Sequence, residues 1–189
     1  MIRWEVITIN NYGFQTPSYV ADYMVSLIDK EPKLVLEPSI GEGNLVKALW
    51  NKFPNTKVIA YDIEDCPIKD DRLTFIKQDF LQAEINFRPD LILSNPPFTP
   101  MTLSYEFFEK CHYIQSRGIY ILPYLFLINS TSRPKKYSSE LDVRNIINLP
   151  RNVFKNSRIQ SCILDIYEGT TTNTKYIWYE EKVNKGSDK

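Results

Sequence analysis

The sequence predicts an α/β protein, built on a doubly wound, mostly parallel sheet with helices on both faces. Three observations lead there. Short apolar runs alternate with amphipathic segments, the pattern of parallel strands joined by crossover helices. The first strand, 33–37, runs through a glycine loop, Gly41-Glu42-Gly43, directly into a helix, which is how such folds open. Finally, Glu37, Asp62, Asp79 and Asn95 each stand at or just beyond the end of an apolar run. In a parallel sheet the carboxyl ends of the strands share one edge, so these four polar groups converge on one crevice.

The 189 residues suit a single domain spanning 1–189, with a core over about 12–180 and a frayed polar tail at 182–189. A chain of this size buries about 70% of its unfolded surface. Neither a repeat nor a linker divides it. The longest apolar run, 119–128, contains Pro123 and is too short to span a bilayer, so no membrane partner is expected. The N-terminus lacks a basic stretch followed by an apolar one. Cys66, Cys111 and Cys162 are odd in number and widely spaced, which suits a reducing, cytoplasmic setting and not a disulfide or zinc framework. The one histidine, His112, falls in a predicted helix, and no metal site is expected.

In chain order, residues 1–11 form a lead-in. Thr16 is placed to N-cap a helix, with Pro17 at its first position and an apolar face running to about Lys30. After the strand at 33–37 and its glycine loop, a helix covers about 45–53. Strands follow at 57–61, 73–77 and 91–94, then a helix at 103–116 and a strand at 118–122. A connection of about twenty residues leads to strands at 143–149, 161–167 and 175–179. Formal net charge is zero, but 131–160 carries seven basic residues against two acidic ones. A local basic region can meet phosphates even when the whole chain is neutral. Its site candidates are Arg133, Lys135, Lys136, Arg151, Lys155 and Arg158.

The glycine loop points to a nucleotide-like ligand, yet it is not a dinucleotide loop. Counting from Gly41, the third glycine of that pattern would fall where Val46 stands, and Glu42 would oppose a pyrophosphate. No Gly-Lys-Ser/Thr phosphate loop occurs either. Acidic residues around the loop better suit a cofactor with a cationic or amine-bearing part. Asp62 is placed to accept ribose hydroxyls, and Asp79 to accept an adenine amino group. The most telling stretch is Asn95-Pro96-Pro97-Phe98. Two prolines force the chain out of the sheet after Ser94, presenting an amide, a carbonyl and an aromatic ring at the sheet edge.

These pieces resemble the S-adenosylmethionine-dependent DNA adenine-N6 methyltransferases of gamma motif order, including type I modification subunits. The matching segments are Phe14-Gln-Thr-Pro17, Leu36-Glu-Pro-Ser-Ile-Gly-Glu-Gly-Asn44, Tyr61-Asp62, Gln78-Asp-Phe80 and Asn95-Pro-Pro-Phe98, followed by Asn148-Leu-Pro-Arg-Asn-Val-Phe154. An Asn-Pro-Pro-aromatic run arises by chance in a chain this long on the order of 0.2% of the time. The resemblance implies a Rossmann-like class I methyltransferase fold, whose sheet is seven-stranded, with S-adenosyl-L-methionine as cofactor. It places Thr16, Glu37, Pro38, Ser39, Gly41, Gly43, Asp62, Asp79, Phe80 and Asn95 around that cofactor. Asn95 and Pro96, with Pro97 and Phe98, would handle the target amine, Phe98 stacking on the base and Phe154 closing from the other side. DNA is the implied partner, with structured RNA or a catalytically inactive nucleic-acid-binding subunit as alternatives. Because no target-recognition domain is visible, a separate specificity subunit or a homodimer partner is a further expectation.

Overall fold

The computed structural model of the chain describes residues 15–115, 117–128, 142–154, 159–167 and 174–179. One sheet contains β1 (Leu34–Glu37), β2 (Lys57–Asp62), β3 (Leu73–Lys77), β4 (Leu91–Ser94), β5 (Gly118–Pro123), β6 (Val143–Asn148), β7 (Ser161–Ile166) and β8 (Lys175–Trp178). Their order is β3-β2-β1-β4-β5-β7-β6-β8. Among these described strands β7 alone runs against its neighbours, pairing antiparallel with β5 and β6. The expected sheet is thus present, and β8 extends it at the edge by pairing parallel to β6.

Helices α1 (Ser18–Ser26), α2 (Asn44–Lys52), α3 (Met101–Ile114) and the single turn α4 (Leu125–Ile128) complete the described elements, with one 3₁₀ turn at Phe80–Gln82. Strand residues divide by alternation, as period-2 side chains must. Val35, Leu93, Ile119 and Ile121 join the α1 and α2 side chains Val20, Met24, Leu45 and Leu49 in one buried cluster. Their strand neighbours Leu36, Ile92, Tyr120 and Leu122 join Phe107 and Phe108 of α3 in the other. Two apolar layers therefore sandwich a sheet buried on both faces, which is why its central strands read as unbroken apolar runs.

Strands β1, β2 and β3 step outward in one direction, and the chain then returns to place β4 on the other side of β1. The sheet reverses its winding between β1 and β4. Beyond the carboxyl ends of two such strands a crevice opens, the usual position for a ligand in an open α/β sheet. Here its two sides are the loops that follow Glu37 and Ser94.

Several local expectations differ from the structure. Thr16 does not cap α1: Pro17 is the capping residue and no side chain caps the helix. The Thr16 hydroxyl is used elsewhere, as described below. The helix also stops at Ser26, short of Lys30, and α3 covers Met101–Ile114, two residues earlier than predicted. Arg144 stands near the start of β6, away from the crevice. It pairs with Asp29 and lies over the Tyr167 ring, so its charge does not contribute to a basic surface beside the site.

Candidate active site

A cavity of about 690 Å³ lies at the carboxyl edge of β1, β2 and β4. Its wall begins with the loop after β1. There Gly41 and Gly43 both have positive φ, at 50° and 74°. At Gly41 a Cβ would also come within 2.5 Å of Gln15 Oε1 and push that side chain aside. The Gly41 N–H donates to Asp62 Oδ2 at 2.8 Å, and Asp62 Oδ1 accepts from Glu64 N at 3.1 Å. One carboxylate thus ties the glycine loop to the segment after β2 and fixes its own orientation on the cavity wall.

The second side is built from Thr16 and Asn95, which are 79 residues apart in the chain. Asn95 Nδ2 donates to Thr16 Oγ1 at 3.0 Å, while Ser39 Oγ donates to the Asn95 carbonyl at 3.2 Å. Asn44 Nδ2 donates to the Thr16 carbonyl at 2.8 Å, and Glu42 N donates to Gln15 Oε1 at 2.9 Å. Residues 15 and 16 therefore strap the glycine loop to the end of β4. The buried Thr16 hydroxyl orients the Asn95 amide, a long-range use that its helix-capping appearance concealed.

Beyond β3, Asp79 Oδ1 accepts from Leu81 N at 2.9 Å and so caps the 3₁₀ turn. Phe80 inside that turn is 1% exposed, yet it reaches the cavity together with Phe107 and Leu103 of α3. Glu42, Asp62, Glu64, Asp65 and Asp79 all contribute to the wall, and among the described residues no lysine or arginine does. The cavity is an anionic pocket with one aromatic flank. A cationic, amine-bearing ligand with a flat ring suits it, whereas a phosphate would be repelled.

Of the residues expected around a cofactor, Thr16, Pro38, Ser39, Gly41, Asp62, Asp79, Phe80 and Asn95 line this cavity, as does Pro97. Glu37 and Gly43 do not. Gly43 instead N-caps α2, with the Ile68 side chain packed over the face where a Cβ would stand. Glu37 is buried behind the loop, where Oε1 accepts from Ser39 N at 3.1 Å and Oε2 has no hydrogen-bond partner among the described residues. Burial pushes its carboxyl well above the usual range, the Ser39 N–H offsets part of this, and Asp62 adds to the rise.

Pro96 and Phe98 are buried and do not line the cavity. The Phe98 ring meets Phe154 edge-on, with centroids 6.4 Å apart and planes at 79°. Both are nearly inaccessible, at 6% and 2%. Arg151 is exposed on the short loop before Phe154. Arg133, Lys135, Lys136, Lys155 and Arg158 lie outside the described residues. Sequence reasoning missed Gln15, the 63–65 segment, Leu103 and Phe107 as wall residues. For the last pair the i, i+4 spacing on α3 was the available signal.

No protein-family profile matches the chain, and no curated protein does. Solved structures do. A candidate class I S-adenosylmethionine-dependent methyltransferase from Listeria monocytogenes superposes with a TM-score of 0.66 at 16% identity, over 89% of this chain and 66% of that one. The M protein of the type I restriction enzyme EcoKI gives 0.64 at 13% identity, over 86% and 45%. The 23S rRNA methyltransferase ErmE gives 0.58 at 18%, over 83% and 70%. This chain thus spans about two thirds of the first neighbour's length and under half of the second's. At these identities the likeness is one of fold: the chain has the Rossmann-like fold of class I methyltransferases. No helix among the described residues is long and apolar enough to cross a membrane. None of their His, Cys, Asp and Glu side chains form a group of three or more able to hold a metal ion.

Proposed function

We propose that this protein transfers a methyl group from S-adenosyl-L-methionine to the exocyclic N6 of adenine in DNA. The observation that carries the reading is the placement of Asn95. It stands at the sheet reversal, on the wall of the cavity that Asp62 and Asp79 also line, with its amide oriented by Thr16. Asp62 would hold the ribose hydroxyls, and Asp79 and Phe80 the adenine ring. Ser39, Gly41 and the strap at Gln15 and Thr16 would enclose the methionine end. When bound, the cofactor supplies an electrophilic methyl group.

An adenine amino nitrogen is a poor nucleophile because its lone pair is delocalised into the ring. With Nδ2 engaged by Thr16, the Asn95 side-chain oxygen would accept one amine N–H, and the Pro96 carbonyl, which does not line the cavity as it stands, would accept the other once the base has entered. Two preorganised acceptors draw the nitrogen toward tetrahedral geometry and stabilise the positive charge that develops on it, an effect worth a few kcal/mol per group. Phe98 would stack on the base after it leaves the duplex, with about 1–3 kcal/mol of stacking offsetting part of the flipping cost. A base between two parallel rings needs about 7 Å of separation. The edge-on Phe98–Phe154 pair gives no such slot, so substrate binding moves the Phe154 ring.

The test is a transfer assay with labelled S-adenosylmethionine against DNA, structured RNA and protein, followed by nucleoside analysis. N6-methyladenine in DNA is the expected product. Label in RNA or in protein glutamine would replace the substrate, and calorimetry showing no cofactor binding would overturn the reading altogether. Asn95→Ala should stay folded and bind cofactor appreciably while losing transfer by about a hundredfold or more. Wild-type turnover in that variant would remove Asn95 from the chemistry.

A further inference from the structure

Lys110 is a charged side chain that the proposed chemistry leaves unused. It projects from α3 into the gap beneath the 3₁₀ turn that follows β3. Its ammonium donates to three backbone carbonyls, those of Phe80 at 2.7 Å, Leu81 at 3.1 Å and Ala83 at 2.5 Å. An ammonium has three donors, so this one is fully committed. It also lies 4.9 Å from the centre of the Phe80 ring. Burial pulls its proton affinity down, and the neighbouring Asp79 carboxylate pulls it back up.

A single 3₁₀ turn cannot satisfy its own terminal carbonyls, and it holds its shape only if something else does. That turn places two cavity groups at once. Asp79 is its capping residue, held through Oδ1, and Phe80 is its first residue. A second lysine makes the same kind of contact in a different setting. Lys52 donates to the carbonyls of Val25, Ser26 and Ile28 at 3.2, 3.4 and 2.7 Å, closing the end of α1, and it does not line the cavity. Capping carbonyls is therefore a structural habit of this fold. What distinguishes Lys110 is the cargo of the turn that it caps.

We infer that Lys110 is a positioning residue for the cavity's ring-binding end, fixing Asp79 and Phe80 so that the site selects a purine bearing a 6-amino group. The inference rests on the reading of the cavity as an S-adenosylmethionine site. Without the three carbonyl contacts the turn can relax, and Asp79 loses the fixed distance from Phe80 that lets it distinguish an amino group from a carbonyl oxygen. The methionine end, held by the glycine loop and the Thr16 strap, is untouched.

The experiment compares two ligands by calorimetry, S-adenosylhomocysteine and S-inosylhomocysteine, in which the 6-amino group is replaced by oxygen and N1 gains a proton. The wild-type protein should prefer the adenosyl ligand by about tenfold or more, the usual effect of one hydrogen bond to a charged group. Lys110→Met keeps the aliphatic stem and should reduce that ratio to within about threefold, mainly by weakening the adenosyl ligand. Lys52→Met should lower thermal stability and leave the ratio intact. Should Lys110→Met not fold, Lys110→Arg serves, because a planar guanidinium reaches fewer of three converging carbonyls and should give an intermediate ratio. A full wild-type ratio in the Lys110 variants overturns the proposal while leaving the cofactor reading in place. A wild-type protein that binds neither ligand defeats the cofactor reading and this proposal with it, whereas one that binds both equally overturns this proposal alone.

Discussion

Glu37 illustrates how a single buried carboxylate can shape behaviour without touching the cavity. It is buried, its Oε1 accepts from the Ser39 N–H, and Oε2 has no hydrogen-bond partner among the described residues. Its folded pKa is raised well above the ordinary 4.5. The unfolded chain releases this proton near its ordinary value while the folded chain keeps it. Stability present below that value therefore drains away as pH rises toward the raised folded one. Glu37→Gln abolishes the titration, so the variant should melt above wild type at about pH 8 and close to it at about pH 4. Melting curves across that range check the sign, and a wild type that is the more stable at high pH refutes it. At this scale the sequence was partly legible. The acidic residues and Asn95 stood out because each ended an apolar run. Nothing local announced that Thr16 would serve Asn95 instead of α1, since that contact spans 79 residues.

Among the elements, the antiparallel insertion of β7 depends on one polar knot. Asp165 is fully buried within β7 and accepts from Arg117 Nη1 at 2.7 Å, just before β5, and from Asn145 Nδ2 at 2.6 Å on β6. The same guanidinium donates to the Ile166 carbonyl at 2.7 Å and lies over the Tyr167 ring. Arg117, through Asp165, thus links β5 and β7 to Asn145 of β6 at the end of the sheet opposite the cavity. Arg117→Met would leave the buried Asp165 with Asn145 as its one side-chain partner among the described residues and should cost about 3–5 kcal/mol. Urea unfolding checks this: a loss under about 1 kcal/mol would show that water reaches Asp165. Element existence was readable because apolar periodicity survives in short windows. Ends were less so, as with α1 and α3, because terminal turns are decided by tertiary contacts such as Lys52 on the α1 carbonyls. The 3₁₀ turn at Phe80 left no periodic signal at all.

For the whole molecule, neutrality conceals an uneven distribution. In the sequence a basic excess falls on 131–160, most of whose basic residues lie outside the described residues, while the cavity wall is acidic. A cationic cofactor would be steered to the acidic wall, and the basic residues of 131–160 are the candidates for meeting a polyanion. Removing Arg144 from that excess is the structure's correction to the sequence count. Lys135 and Lys136 lie outside the described residues. Replacing both by glutamate should weaken binding of the proposed DNA partner and flatten the log–log salt dependence by about 2, near 0.9 for each phosphate no longer neutralised. An unchanged slope in filter-binding titrations would place the nucleic acid elsewhere. The sheet and its reversal could be foreseen from the order of strands and helices. The eighth strand's position could not, since pairing partners are set by long-range register and not by the strand's own residues.

The Phe98–Phe154 contact carries a consequence for selectivity. In the proposed reaction an incoming base does not fill a vacant slot but displaces a resident. An edge-on aromatic pair is worth about 0.5–1.5 kcal/mol beyond its buried area, while a base stacked on an aromatic ring gains about 1–3 kcal/mol. The top of the first range overlaps the bottom of the second. A small, weakly stacking pyrimidine would scarcely repay Phe154's departure, whereas a purine would. The protein would then screen bases by an internal competitor before any hydrogen bond to Asn95 is formed.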